Sequence, residues 1–176
     1  MTIETVHLRL IPYAPEHLLA LIEGEERFQE RFGWRAAAGL RAFYLSDDVS
    51  PTWLAQLRAS SAADPWVFGF AVVHRKSLSV IGAVGFKGPP DEDGMVEIAY
   101  GIVPVFQGRG YATEAAEAGV EFAFGSGCVS LIRAHTLPTP NASTRVLAKC
   151  GFERTGEVMD PEDGLVWRFE RSRGSA

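Results

Sequence analysis

The sequence lacks the features that mark several large classes of protein. No uninterrupted apolar run approaches the ~20 residues of a membrane-spanning helix, so we predict no transmembrane segment. The first residues show neither a basic start nor a long apolar stretch, and we therefore expect no signal peptide. The two cysteines, Cys128 and Cys150, form no C-x-x-C pair. Without a secretion signal, they indicate reduced thiols in a cytoplasmic protein.

Positive charge is also scarce, because 17 lysines and arginines stand against 22 aspartates and glutamates, for a formal net charge of -5. A general nucleic-acid binder usually carries a basic face, so we expect no direct binding of nucleic acid. The charge balance is compatible with a cationic substrate such as an amine. His74 and His135 stand alone on predicted strands without metal-ligand spacing, and we expect no metal.

The pattern that is present predicts one α/β domain over residues 1–176, with a core at about 5–171. Antiparallel strands come first and one strand–helix–strand crossover follows, which predicts a mixed sheet. Val6, Leu8 and Leu10 alternate and are expected on one face of the first strand. Residues 33–50 give no clear pattern. The predicted strands are 5–12, 67–75, 79–87, 95–103, 130–136, 152–159 and 165–170, and the predicted helices are 15–24, 25–32, 111–124 and 141–150, with a further helix opening at Pro51.

A glycine-rich turn, Q-G-R-G at residues 107–110, stands between a predicted strand and the helix that begins near Tyr111. The first amides of a helix have no partner within it, and the helix dipole adds partial positive charge at the same end. Gly108 and Gly110 allow a ligand to approach the main chain closely, and Gln107 and Arg109 can reinforce the contact. The turn therefore predicts a phosphate or pyrophosphate site, although a plain tight turn can have the same two glycines.

Two other phosphate motifs do not fit this turn. A P-loop needs G-x-x-x-x-G-K-[ST], and no lysine is present here. A dinucleotide fingerprint needs a third glycine, and an acidic residue about 20 positions later. Thr113 occupies the position of the third glycine, and the following predicted strand contains no acid. A nucleotide-dependent oxidoreductase is therefore disfavoured.

Segments along almost the whole chain, taken in order, resemble the GNAT superfamily of acetyltransferases. Residues 107–112 match its Q/R-x-x-G-x-G/A signature. Residues 97–102 (EIAYGI), 108–115 (GRGYATEA) and 141–152 (NAS followed by LAKCGF) resemble the branch that includes the ribosomal-protein N-terminal acetyltransferases, the Rim type. The resemblance implies a GNAT-type fold, in which a mostly antiparallel central sheet with flanking helices contains one parallel pair of strands that splay apart.

The resemblance also implies acetyl-coenzyme A as cosubstrate. The turn would hold the pyrophosphate through main-chain amides, and the strand before it would pair with the pantetheine arm through the backbone of Ile102 and Val103. Asn141 would hydrogen-bond to the same arm while also capping its helix. The turn residues implied in cofactor binding are Gln107, Gly108, Arg109, Gly110, Tyr111, Ala112 and Thr113.

Two side chains are the candidate catalytic groups. The resemblance implies Glu97 as the base that accepts the amine proton, directly or through water; the alternative is a solvent-facing strand residue or a salt bridge. Ser143 is the candidate acid for the departing thiolate. Many family members instead have a tyrosine on this helix, and Leu147 stands at that position here. A serine in a first helical turn is also often a local partner of the backbone, and a thiolate can leave without a dedicated acid.

These observations predict transfer of an acetyl group from acetyl-coenzyme A to a primary amine, either a protein N-terminus or a small-molecule amine. The absent helix tyrosine leaves an alternative, a coenzyme A-binding sensor or interaction module without turnover. A homodimer is one option for assembly, since dimers are common among similar proteins.

Overall fold

A central sheet of nine strands organises the fold in the computed structural model, which describes residues 1–45 and 50–174. The strands are β1 (Ile3–Glu4), β2 (Leu8–Pro12), β3 (Arg35–Ala36), β4 (Phe70–His74), β5 (Ser79–Phe86), β6 (Met95–Ile102), β7 (Leu131–Thr136), β8 (Glu153–Asp160) and β9 (Gly164–Ser172). The helices are α1 (Pro15–Glu23), α2 (Glu25–Phe32), α3 (Pro51–Ala59), α4 (Tyr111–Gly125) and α5 (Ala142–Lys149), with 3-10 turns at Arg41–Tyr44 and Pro104–Phe106. Among the described residues, no helix combines the length and apolarity needed to cross a membrane.

The strands follow the order β1-β2-β4-β5-β6-β7-β9-β8, with β3 beside β5. Neighbours along this order are antiparallel except β6 and β7, which run parallel, as do the short β3 and β5. Helix α4 forms the crossover between β6 and β7, as a parallel connection requires. The predicted mixed α/β sheet, mostly antiparallel with one parallel pair before and after the crossover helix, is confirmed.

The parallel pair separates partway along its length. β6 and β7 pair only from Met95 with Leu131 to Glu97 with Arg133. Beyond this point β6 continues beside β5, and β7 continues beside β9 as far as Thr136. A gap therefore opens between the C-terminal halves of β6 and β7.

Helix α4 lies very close to the sheet because its inner face is built from small residues. A Cβ atom added to Gly119 would stand 2.7 Å from Val84 Cγ1 and 3.2 Å from Ile98 Cδ1. This contact fixes the position of the helix over β5 and β6. The buried small residues of the helix are Ala115, Ala116, Ala118, Gly119 and Ala123.

Two regions differ from the sequence predictions. The first predicted strand is broken, because Thr5 turns back to bond Leu8 through both its main chain and its hydroxyl. Val6 is consequently 79% exposed and precedes the strand, while Leu8 and Leu10 are fully buried, so the prediction that all three share one face of the strand is wrong for Val6. The unclear segment 33–50 contains β3 and one 3-10 turn, and residues 46–49 lie outside the described residues.

Candidate active site

The glycine turn before α4 presents unpaired main-chain donors. The first hydrogen bond that leads into the helix joins the Glu114 N–H to the Gly110 carbonyl at 3.1 Å. Among residues 1–45 and 50–174, no group accepts a hydrogen bond from the consecutive main-chain N–H groups of residues 108–113. Such donors at a helix N-terminus form an anion-binding surface.

The conformation of the turn depends on its two glycines. Gly108 and Gly110 have φ angles of 77° and 84°, in the left-handed region that other residues adopt at a cost. Space is not the constraint, because an added Cβ at either position meets no atom within 4 Å. The Gln107 side chain donates to the Ile102 carbonyl at 2.8 Å, which ties the turn to the end of β6 rather than leaving this amide for a ligand. The exposed Arg109 guanidinium lies over the Phe106 ring.

A hydrogen-bonded chain from the β4–β5 hairpin holds the first residue of α4. The Tyr111 hydroxyl lies 3.0 Å from His74 Nε2, and the Ser77 N–H donates to His74 Nδ1 at 3.3 Å. The Ser77 hydroxyl lies 2.7 Å from the same Nδ1, so the imidazole links Tyr111 to the hairpin through both ring nitrogens. Burial, followed by the nearby Arg109 cation, lowers the pKa of His74, which favours the neutral imidazole.

A second clamp acts on Glu114, in the first turn of α4. The Thr5 hydroxyl and the His7 N–H donate to its carboxylate, and His7 Nδ1 lies 2.8 Å from it. Burial by itself raises the pKa of Glu114, but these hydrogen bonds outweigh it and hold the pKa below its ordinary value. The segment between β1 and β2 therefore anchors the helix end that carries the unpaired amides.

We expect Glu114→Gln to lower the free energy of unfolding by about 1–2 kcal/mol at neutral pH, because the charged acceptor is lost. The folded-state pKa of Glu114 is depressed, so the contribution of its ionisation is complete above the unfolded value of about 4.3 and is lost as pH falls through the folded value. Urea unfolding at a series of pH values measures this. Glu121→Gln, on an exposed position of the same helix, is the control. A difference between wild type and Glu114→Gln that persisted at pH 2 would contradict the account.

The β6 main chain presents bonding groups to the gap at alternate residues. Lys87 N–H donates to the Glu97 carbonyl, and Val103 N–H donates to the Ile81 carbonyl at 2.8 Å. The main-chain N–H and carbonyl groups of odd-numbered β6 residues therefore point toward β5. Tyr100 and Ile102 consequently direct their N–H groups toward the gap. The Val103 carbonyl also accepts from Phe106 N–H, so both main-chain groups of Val103 already have a protein partner. The structure therefore favours Ile102 over Val103 as a main-chain partner, and the cofactor roles of both residues stay predictions.

Glu97 lies at the point where the two strands begin to diverge. Its Oε2 atom is 3.0 Å from Lys87 Nζ and 3.1 Å from His135 Nδ1, and its side chain is 18% exposed. Among the described residues, its other carboxylate oxygen accepts no hydrogen bond from the protein. Glu97 thus combines the salt bridge considered from the sequence with a free oxygen at the gap.

The gap contains a cavity of about 300 Å³. Side chains from both strands, from α5 and from the β8–β9 turn line it. They include Lys87, Glu97, Tyr100, His135, Ser143, Leu147 and Asp163. The structure therefore brings the two candidate catalytic residues, Glu97 and Ser143, to one cavity.

Helix α5 forms one wall of this cavity, and its first turn is held by a reciprocal cap. Asn141 Oδ1 accepts the Thr144 N–H at 3.0 Å, and Thr144 Oγ1 accepts the Asn141 N–H at 2.9 Å. The side-chain oxygen of Asn141 is thus used in capping, as the sequence predicts, while its amide NH₂ donates to no protein acceptor within the described part of the chain. Leu147, which stands where the resemblance implies a tyrosine, is buried.

Sequence reasoning missed two residues of the cavity, Tyr100 and His135. The Tyr100 hydroxyl donates to the Ser143 carbonyl at 3.3 Å and so bridges β6 to α5. Burial, followed by the neighbouring Cys150 thiol, raises the pKa of Tyr100, which keeps the phenol protonated. Tyr100 was visible in the motif at residues 97–102, whereas the approach of His135 to Glu97 depends on the parallel register, which one sequence does not reveal.

The comparisons with known proteins agree with this architecture. Residues 7–153 match the family model described as an acetyltransferase (GNAT) domain. The chain is 33% identical over 89 residues to the uncharacterized N-acetyltransferase YjdG of Bacillus subtilis strain 168, and the match covers 51% of each chain. It therefore spans about half the length of this curated relative. Groups of His, Cys, Asp and Glu arranged to hold a metal are absent from the described residues.

Solved structures that share the fold include two in complex with coenzyme A. The ribosomal L7/L12 alpha-N-protein acetyltransferase RimL, in complex with coenzyme A, aligns with a TM-score of 0.69 and 15% identity over 100% of both chains. The aminoglycoside acetyltransferase AAC(6')-Ib, also in complex with coenzyme A, aligns with a TM-score of 0.63 and 23% identity over 96% of both chains. At these identities the likeness is one of fold.

Proposed function

Because the chain belongs to the GNAT family of acetyltransferases, we propose that it transfers an acetyl group from acetyl-coenzyme A to a primary amine. The observation that carries the proposal is the row of unpaired amides at residues 108–113, beside a gap that contains Glu97. A polyanionic pyrophosphate suits these donors. The gap suits an extended thioester arm, because the edge of β6 retains free main-chain groups there.

The cofactor contacts of the proposal follow from the free groups. Residues 108–113 hold the pyrophosphate through their N–H groups, and Arg109 adds a positive charge. The main chain of Tyr100 and Ile102 bonds the pantetheine arm as an added strand would. The NH₂ group of Asn141 reaches the same arm from the helix cap, and Gln107 acts indirectly by fixing the turn to β6.

In the proposed reaction the amine nitrogen forms a bond to the acetyl carbon, the carbon–sulfur bond breaks, and coenzyme A leaves as a thiolate. A main-chain N–H at the gap polarises the carbonyl oxygen. Glu97 accepts the proton that the amine must lose, through its unpaired oxygen. Ser143 or water returns a proton to sulfur. Most of the rate enhancement in this scheme comes from holding the two reactants together.

The acceptor in the proposal is a protein N-terminus or a small-molecule amine. The two structural neighbours support both classes, because one is named for a ribosomal-protein N-terminus and the other for an aminoglycoside. The net charge of -5 favours cationic amines. We also propose that the chain acts as one acetyltransferase domain in the cytoplasm, with a homodimer as one option for its assembly.

A thiol-release assay tests the proposal. The purified chain is incubated with acetyl-coenzyme A and one amine in each reaction. The amines are an alanine-initiated peptide, a serine-initiated peptide, spermidine and kanamycin. We expect at least one amine to accelerate release of free coenzyme A, and mass spectrometry to show that amine acetylated. Tight binding of acetyl-coenzyme A with no acceleration across a broad panel would favour a sensor without turnover. Binding of NAD in preference to acetyl-coenzyme A would overturn the cofactor assignment.

A further inference from the structure

We propose that His135 is a positioning residue for Glu97, and that Arg168 selects the imidazole tautomer with its proton on Nδ1. This inference rests on the proposed role of Glu97 as the base in acetyl transfer. It concerns a side chain that neither the family signature nor the sequence pattern singles out. The pairing of three strands carries it, since β6, β7 and β9 lie side by side.

A side-chain hydrogen bond from Arg168 on β9 to His135 on β7 fixes the tautomer of His135. His135 is paired directly with Arg168 in the antiparallel register, and Arg168 Nε donates to His135 Nε2 at 3.1 Å. A guanidinium has only donors, so Nε2 must act as the acceptor. A neutral imidazole has one N–H, and the proton of His135 therefore resides on Nδ1.

The ring nitrogen that carries this proton is the one beside the Glu97 carboxylate. His135 Nδ1 lies 3.1 Å from Glu97 Oε2, and the two side chains are only 19% and 18% exposed. Lys87 approaches the same oxygen, but its side chain is 64% exposed and its ion pair contributes little to orientation. His135 is therefore the shielded partner that holds Oε2, and the carboxylate presents Oε1 to the amine.

The same geometry argues against His135 as the base. The lone pair of Nε2 is already used by Arg168, and a second proton there would oppose the guanidinium. Nδ1 carries its proton in the ground state. The proton of the amine therefore passes to Glu97, while His135 keeps its own proton throughout.

Nitrogen chemical shifts of the imidazole test the tautomer without any substrate. In the ligand-free chain, labelled with ¹⁵N, we expect His135 to show a protonated Nδ1 and an unprotonated Nε2 at neutral pH. Arg168→Met should allow the Nε2–H form to appear. A wild-type Nε2–H tautomer, a doubly protonated ring, or an Arg168→Met spectrum unchanged from wild type would overturn the inference. This result does not depend on turnover, so it is separable from failure of the proposed function.

Two matched variants test the positioning role with the panel amine that is acetylated fastest. The asparagine amide reaches about the position of Nδ1, whereas the glutamine amide reaches about that of Nε2. We expect His135→Asn to keep kcat within about threefold and His135→Gln to lower it by roughly tenfold or more, with the KM for acetyl-coenzyme A unchanged in both. Equal losses in both variants, at similar melting temperatures, would indicate a base or a purely structural residue and would overturn the assignment.

Discussion

Glu97→Gln is expected to lower kcat by about 100-fold or more at neutral pH while leaving the affinity for acetyl-coenzyme A unchanged. Glutamine keeps the size of the side chain but cannot accept a proton. Glu97 stands where β6 and β7 diverge, and one of its carboxylate oxygens has no protein partner among the described residues. The turnover that remains should increase with pH, because only amines already deprotonated in water can then react.

Steady-state kinetics and calorimetry together measure this effect. Glu153→Gln, at an exposed position of the edge strand β8, is the matched control and should behave as wild type. The melting temperature should change little, since the Lys87 ion pair is largely exposed. Undiminished turnover in Glu97→Gln would show that proton transfer takes place elsewhere, and Glu97 would then be only a salt-bridge residue.

Gly110→Trp is expected to weaken binding of acetyl-coenzyme A by about 100-fold or more while the fold survives. The φ angle of Gly110 is 84°, so any other residue strains the turn by about 1–2 kcal/mol. Apart from the glycine and its chain neighbours, no atom of the described residues lies within 4 Å of an added Cβ, so the indole can project outward without disrupting the core. It would then occupy the space in front of the unpaired amides. The loss therefore comes from blocked and misdirected donors rather than from unfolding.

The control variant Gly127→Trp separates the effect of backbone strain from the effect of blocking the unpaired amides. Gly127 follows the other end of α4, has a φ angle of 80°, and likewise has no atom within 4 Å of an added Cβ. Both variants should lose a similar 2–8 °C or so of melting temperature for about 1–2 kcal/mol of strain. Only Gly110→Trp should lose affinity in isothermal titration calorimetry. Equal affinities in the two variants would remove the glycine turn from the binding site.

Sequence patterns were sufficient wherever a local rule determines the structure. The helices at residues 15–23, 25–32 and 111–125 follow from apolar periodicity and from proline and glycine at their ends. The cap of α5 follows from Asn141, and the left-handed φ angles of the turn from Gly108 and Gly110. These features need no knowledge of which strands are neighbours.

Features that depend on strand register were not predictable in the same way. A strand bonds alternate residues to each neighbour, so a shift of one residue decides whether Val103 or Ile102 faces the gap. The approach of His135 to Glu97 requires the parallel register of β6 and β7, and its bond to Arg168 requires that of β7 and β9. Val6 was misplaced because its alternation with Leu8 is interrupted by the turn at Thr5.

Hydrogen–deuterium exchange of the free and acetyl-coenzyme A-bound chain tests the central claim most directly. The N–H groups of residues 108–113 have no protein acceptor among the described residues, and they should exchange rapidly in the free chain. Bound phosphate oxygens should protect them strongly, with further protection at Tyr100 and Ile102. Saturating acetyl-coenzyme A that left exchange at residues 108–113 unchanged would contradict the account.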